Sequence, residues 1–173
     1  MYKFAQPGFE FIKMIRKATS NDKNFLHELY MHTSINPYLL YEPMDAVSFS
    51  PILDELLQKN QLHIYFTANN TAVGMFKLVP HTHRSAHIVY LGGVAIHPLF
   101  TGRGLGQQMM KAIIEYAISN GYLRIELSVA VNNEKAISVY KKVGFAKEGI
   151  MKKYTYLKKE DIFIDEILMA FVK

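Results

Sequence analysis

The stretch Leu91-Gly92-Gly93-Val94-Ala95-Ile96-His97-Pro98-Leu99-Phe100-Thr101-Gly102-Arg103-Gly104-Leu105-Gly106 decides how this chain is read. Its first half is apolar and suits a strand that ends at Pro98. Glycines then recur at 102, 104 and 106, directly ahead of a long pattern with helical spacing. The first N–H groups of a helix lack partners inside it and carry a partial positive charge. Flanking glycines let the phosphates of a ligand come close to such a main chain. Alone, the same turn could equally be a tight strand-to-helix connection that binds nothing.

Toward the C-terminus, residues 104–120 read as an amphipathic helix with Leu105, Met109, Ile113, Ala117 and Ile118 on its buried side and Gly121 as its stop. Residues 122–131 alternate: Leu123, Ile125, Leu127 and Val129 face one way, Arg124, Glu126 and Ser128 the other. A second helix is expected over 133–143, closing at Gly144. Strands follow over 146–157 and 162–172, with Lys158-Lys159-Glu160-Asp161 as their turn.

Toward the N-terminus, residues 87–96 continue the central strand. Two more strand-like runs, 61–68 and 72–79, join across Asn69-Asn70-Thr71. Ser20-Asn21-Asp22 offers caps for a helix carrying Phe25, Leu26, Leu29 and Tyr30. Ser50-Pro51 predicts the start of another, with Ile52, Leu53, Leu56 and Leu57 on one face. The aromatic stretch 36–49 between them reads as loop, and its Tyr38, Tyr41 and Phe49 suit either a pocket wall or buried packing. Residues 11–19 suit a first strand, and 1–10, with the turn signal Pro7-Gly8, a loosely attached arm. The order β-α-α-β-β-β-α-β-α-β-β predicts one mixed α/β domain over 11–173, with helices on both faces of a central sheet.

The chain has 173 residues, of which 50% are hydrophobic and 20% charged, as expected of a single globular domain. No apolar run is long enough to span a membrane, and the first residues lack the apolar core of a signal peptide. The absence of cysteine excludes disulfides, thiolate metal sites and a cysteine nucleophile. A cytoplasmic location is therefore expected. The net charge of +5 favours anionic partners, but the basic residues are scattered. A phosphate-bearing cofactor accounts for that balance as well as nucleic acid would.

Asn133-Glu134-Lys135-Ala136-Ile137-Ser138-Val139-Tyr140-Lys141-Lys142-Val143-Gly144-Phe145 is the second informative stretch. On a helix, 133, 136 and 140 share one stripe. That stripe joins a polar amide, a small residue and a phenol able to donate a proton or a hydrogen bond. Ile137, Val139 and Val143 supply apolar surface for packing.

Together the two stretches resemble the GNAT superfamily of N-acetyltransferases, and the resemblance runs over nearly the whole domain from about Met14. The family's phosphate-loop pattern is Gln or Arg, two residues, Gly, one residue, then Gly or Ala. Gly104 and Gly106 match it, whereas Thr101 departs at the Gln/Arg position. A later pattern, Asn-x-x-Ala-x-x-x-Tyr-x-x-x-Gly-Phe, matches at Asn133, Ala136, Tyr140, Gly144 and Phe145. The run from Gly144 to Gly149 and the ending from Asp165 to Ala170 look like bacterial members that acetylate amino acids or similar small amines.

The resemblance implies a sheet of about six or seven strands with about four helices, splayed between its fourth and fifth strands to admit acetyl-CoA. It implies main-chain contacts from Val94, Ala95 and Ile96 to the pantetheine arm, with the Val94 N–H facing the thioester oxygen. Amides of Thr101, Gly102, Arg103, Gly104, Leu105, Gly106 and Gln107 would hold the pyrophosphate. Asn133 and Ala136 would face the pantetheine or acyl end, and Tyr140 would be the acid that protonates the departing thiolate. Relatives often place a base where this chain has Tyr90. Glu126 and His87 are the other titratable groups nearby. The resemblance also makes a homodimer an expectation. A primary amine of a small molecule or amino acid is the expected acceptor. The alternatives are a protein N-terminus or lysine, or a catalytically silent acyl-CoA-binding module on the same fold. Glu28, Glu42, Asp45 and Asp165 are the carboxylates available to attract a cationic amine.

Other chemistries fit less well. His81-Thr82-His83 with His87 invites zinc, but no carboxylate stands at ligand spacing, and no metal is expected. A dinucleotide-binding turn would need a third glycine where Gln107 stands. The phosphate loop of nucleotide hydrolases would need Gly-Lys-Ser/Thr. No nucleic-acid motif is present, so a duplex partner rests on charge alone.

Overall fold

A computed structural model describes residues 14–173. Seven strands form one sheet in the order β1-β2-β3-β4-β5-β7-β6. They are β1 (Ile15–Lys17), β2 (Leu62–Phe66), β3 (Ala72–Pro80), β4 (Ile88–Ile96), β5 (Arg124–Ala130), β6 (Ala146–Leu157) and β7 (Ile162–Val172). Four helices accompany them: α1 (Lys23–Met31), α2 (Ala46–Gln58), α3 (Leu105–Ser119) and α4 (Glu134–Lys142). The expected element order and the mixed sheet are thus observed. Of the expected strand over 11–19, Ile15–Lys17 is seen, and the arm 1–10 lies outside the described residues.

The alternation of strand side chains divides the core in two. On one face, α3 contributes Met109, Met110, Ile113 and Ala117, and α4 contributes Tyr140, against Phe76, Val89, Leu91, Ile125, Leu127 and Met169. On the other, Leu26, Leu29 and Tyr30 of α1 and Phe49, Leu53 and Leu56 of α2 pack on Leu62, Ile64, Met75 and Ala95. Each of these side chains is nearly or fully buried, which at about 25 cal/mol per Å² makes the two layers the main favourable term in folding.

The start of α2 differs from the sequence expectation. The helix begins at Ala46, its cap is Asp45, which accepts from the Ser48 N–H at 2.9 Å, and Pro51 lies inside it. Asp45 also accepts from the Ser48 hydroxyl, at 3.1 Å. Starting five residues earlier also brings fully buried Phe49 onto the stripe of Leu53 and Leu56. The carbonyl that Pro51 leaves without its helical donor belongs to Val47, which is 84% exposed and so open to solvent. The loop is correspondingly shorter. It holds one turn at Asn36–Tyr38, where the buried Asn36 amide donates to the carbonyls of Tyr30 and Tyr41. Leu123 was expected to face inward with Ile125, yet it precedes β5 and is exposed.

Candidate active site

All neighbouring strands are antiparallel except β4 and β5, whose parallel pairing covers only Ile88↔Arg124, Val89↔Ile125 and Tyr90↔Glu126. Past Tyr90, β4 remains bonded to β3 while β5 follows β7, and the two part. Opposite Phe76, β4 carries a bulge: Gly92 pairs with Lys77 and Ala95 with Met75, which leaves Gly93 and Val94 as the extra pair. Gly93 has φ +58°, a left-handed conformation that a Cβ would disfavour, and any Cβ there would meet the Tyr30 hydroxyl at 3.3 Å. The bulge therefore turns the Val94 main chain out of the regular ladder at the point where β5 leaves.

A cavity of about 570 Å³ opens at this parting. Val94 is on its wall, as are Asn133, Ala136 and Tyr140 from α4. The stripe read from the sequence therefore faces the cavity. Asn133 also caps α4, its side-chain oxygen accepting from the Ala136 N–H at 3.2 Å. Ala95 and Ile96 face the two apolar layers with their side chains, so only their main chain is available to a ligand.

The Tyr140 ring lies 5.9 Å from that of Phe145. Burial first, and the neighbouring Tyr90 phenol second, push its hydroxyl far above the usual phenol range. The group is thus held protonated, as a proton donor must be, though it gives its proton up less readily than a free phenol of pKa about 10.

Of the expected bases, Tyr90 lines the cavity and Glu126 does not. The Tyr90 hydroxyl bonds the Ser128 hydroxyl at 2.9 Å, bridging β4 and β5 just past their last main-chain pair. Burial raises its pKa, with the Ser128 bond opposing. The phenol is thus held neutral and braces the two strands where they part. Glu126 is not on the cavity wall. Its carboxylate accepts from Arg124 Nε at 2.7 Å, and the same guanidinium also binds Glu148.

The carboxylate that does reach the wall is Glu166 of β7, paired in register with Ala130 and accepting from the Thr155 hydroxyl. It is not among the carboxylates expected from the sequence, which include its neighbour Asp165. Strand alternation sends Asp165 the other way, to the Lys152 ammonium at 2.7 Å and the Lys153 N–H at 2.8 Å. A charge in the middle of the apolar run from Ile162 to Val172 was the available signal. Of the other carboxylates, Glu28 bonds His97 at 2.8 Å and Asp45 caps α2, whereas Tyr38 and Tyr41 line the cavity and Phe49 is core.

Residues 101–107 stand apart from the cavity wall, at the exposed start of α3. Gly102 and Gly104 have φ of +78° and +74°, and a Cβ at 102, 104 or 106 would meet nothing within 4 Å. The first amides of a 15-residue helix are thus open to solvent beside a surface that a phosphate chain can approach. Together with the free edge of β4, this fits an elongated anionic thioester.

Residues 23–145 match the model of the acetyltransferase (GNAT) family. The chain belongs to that family. Among relatives of this GNAT acetyltransferase is the spermidine N(1)-acetyltransferase of Escherichia coli, 29% identical over 141 residues that make up 78% of this chain and 73% of the relative. An L-amino acid N-acetyltransferase of the same species is 38% identical over 93 residues, 52% of this chain and 54% of the relative. The crystal structure of the Vibrio cholerae spermidine N-acetyltransferase with CoA and spermine superposes with a TM-score of 0.79 at 20% identity, covering 91% of this chain and 94% of that one. Fold and family agree on an N-acetyltransferase.

Proposed function

We propose that this N-acetyltransferase moves the acetyl group of acetyl-CoA to a primary amine of a small molecule or amino acid, by direct attack in a ternary complex. One observation carries the proposal: the parting of β4 and β5 brings the bulged Val94 main chain and the Tyr140 phenol to one cavity.

Acetyl-CoA, when bound, supplies an activated acyl carbon to which the amine bonds as the carbon–sulfur bond breaks. The chain's own groups then have separate tasks. Amides of residues 101–107 hold the pyrophosphate at the start of α3, and the β4 edge from Val94 to Ile96 orders the pantetheine arm. The Val94 N–H donates to the thioester oxygen, where negative charge grows during attack. Asn133 and Ala136 border the acyl end. Tyr140 gives its proton to the departing sulfur, and Glu166 receives the proton that the amine loses.

The reaction is placed in the cytoplasm, on the cysteine-free composition. Among the described residues no helix is long and apolar enough to cross a membrane. A homodimer is proposed through the β6–β7 hairpin, where Ile150, Ile162 and Phe163 are exposed near the sheet edge. The test is thiol release from acetyl-CoA across a panel of amines, beside calorimetry with CoA. CoA binding with amine-dependent thiol release is expected. Binding without release would make the chain a silent acyl-CoA module, and no uptake at millimolar CoA would refute the proposal altogether.

A further inference from the structure

The acetyl-transfer cavity has one basic and one acidic side chain on its wall among the described residues, Lys77 and Glu166. They stand on β3 and β7, with β4 and β5 between them. Because β4 and β5 part beyond Tyr90, the two residues flank the opening from opposite sides, and both reach its wall. The two residues lie on the sheet face that also carries Tyr90 and Ser128, so the charges look across the floor of the acceptor space rather than into opposite layers.

Lys77 is unusual for a lysine in a sheet. Among the described residues it enters no ion pair and no side-chain hydrogen bond, although it is half-buried. Its stem crosses Gly92, where a Cβ would lie 3.7 Å from the lysine Cε, and this leads the ammonium into the cavity. Burial, reinforced by Lys59, holds its pKa below the usual lysine value. A cation sheltered from water without a counter-charge is costly, and an incoming anion relieves that cost. On the far side, Glu166 makes one side-chain hydrogen bond among the described residues, accepting from the Thr155 hydroxyl, and keeps acceptor capacity for an ammonium.

We propose that the acceptor is a zwitterion of amino-acid type, its carboxylate held by Lys77 and its amine directed to Glu166. This rests on the acetyl-transfer reading and adds the substrate class to it. A polycation would meet a single carboxylate and a repelling ammonium in the same space. An amine lacking a carboxylate would leave Lys77 uncompensated. Tyr38, Tyr41, Tyr154 and Tyr156 on the same wall offer ring faces to an apolar or aromatic side chain.

The test compares initial rates of thiol release from acetyl-CoA for matched acceptors: tyrosine against tyramine, methionine against 3-(methylthio)propylamine, and spermidine. The amino acid of each pair is expected to be favoured in kcat/KM by about tenfold or more, and spermidine to be the poorest, as a charge-assisted contact to the carboxylate requires. Lys77→Met should reduce the amino-acid-to-amine ratio by about ten- to a hundredfold, mostly through KM, whereas Lys77→Arg should keep most of it. A wild-type preference for tyramine or spermidine, or a ratio unmoved in Lys77→Met, overturns the zwitterion assignment while leaving acetyl transfer standing. Thiol release with none of the acceptors overturns both.

Discussion

His63 on β2 is expected to make this enzyme lose stability from about pH 7 downward, beginning above the range in which carboxylates titrate. Its ring stacks on Phe76 at 5.0 Å and meets Tyr116 edge-on at 5.4 Å. The carbonyl of Gln61, 2.8 Å from Nδ1, can only accept, so Nδ1 carries the proton and Nε2 faces the Tyr116 hydroxyl at 3.4 Å. Burial, partly opposed by the Gln61 carbonyl and assisted by Lys17, lowers the pKa from 6.5 to about 4. Between those two values the unfolded chain binds more protons than the folded one. The contribution is thus fully present above the unfolded pKa and is lost as pH falls toward the folded one. The linkage relation gives a loss of about 2 kcal/mol between pH 7 and pH 5, and about 3 kcal/mol by pH 4. With a urea m-value of about 2 kcal/mol/M, the unfolding midpoint should fall by about 1 M between pH 7 and pH 5. His63→Phe keeps a ring against Phe76 but cannot titrate. It should be less stable than the wild type at pH 7 by about 1–2 kcal/mol, for the lost hydrogen bond, and should show a much flatter decline toward pH 5. Urea midpoints that fall in parallel for the two proteins would refute the reasoning, because the proton uptake would then belong elsewhere.

Tyr140→Phe should keep CoA affinity within about twofold while turnover falls by about ten- to a thousandfold; calorimetry with CoA and steady-state rates separate the two. Unchanged turnover would remove Tyr140 from the chemistry. Gly93→Ala places a Cβ at φ +58°, 3.3 Å from the Tyr30 hydroxyl, and should cost about 1–2 kcal/mol, or about 2–6 °C in Tm. Because the bulge also sets the Val94 amide, its kcat should fall by more than the fraction unfolded explains. Asp22→Asn breaks the paired bonds from Arg16 at 2.7 and 2.8 Å and weakens the acceptor for the Thr19 N–H, for an expected loss of about 2 kcal/mol at pH 7 in chemical denaturation. Chiefly through the Arg16 bonds, the Asp22 carboxyl is held below its ordinary pKa. The wild-type advantage should therefore persist at neutral pH and vanish only as acid titrates it below about pH 4.

Periodicity and caps alone placed most of this fold. The alternation of Ile125, Leu127 and Val129 and the helical spacing of Met109, Ile113 and Ala117 are local consequences of which faces must leave water, so they can be read without tertiary knowledge. The stripe of Asn133, Ala136 and Tyr140 was legible for the same reason, since one helix and its N-cap carry all three and that helix docks one way. At the start of α2 two local signals compete. Ser50-Pro51 looks like a beginning, but burying Phe49 outweighs it, and that gain exists only once the sheet is there to bury it.

Which charged groups reach the cavity came from the tertiary structure. Glu126 and Glu166 are each a carboxylate on an alternating strand. Only the pairing of β5 with β7, and the reach of Arg124 to both Glu126 and Glu148, sends one into an ion-pair cluster and the other to the cavity. Lys77 likewise gains meaning from Gly92 on the neighbouring strand and from Glu166 two strands beyond that. A chain's own sequence sets which face each side chain takes along its element, because that periodicity is covalent geometry. Which charges then confront each other across a cavity is set by strand order and register, and these follow from the packing of the whole chain.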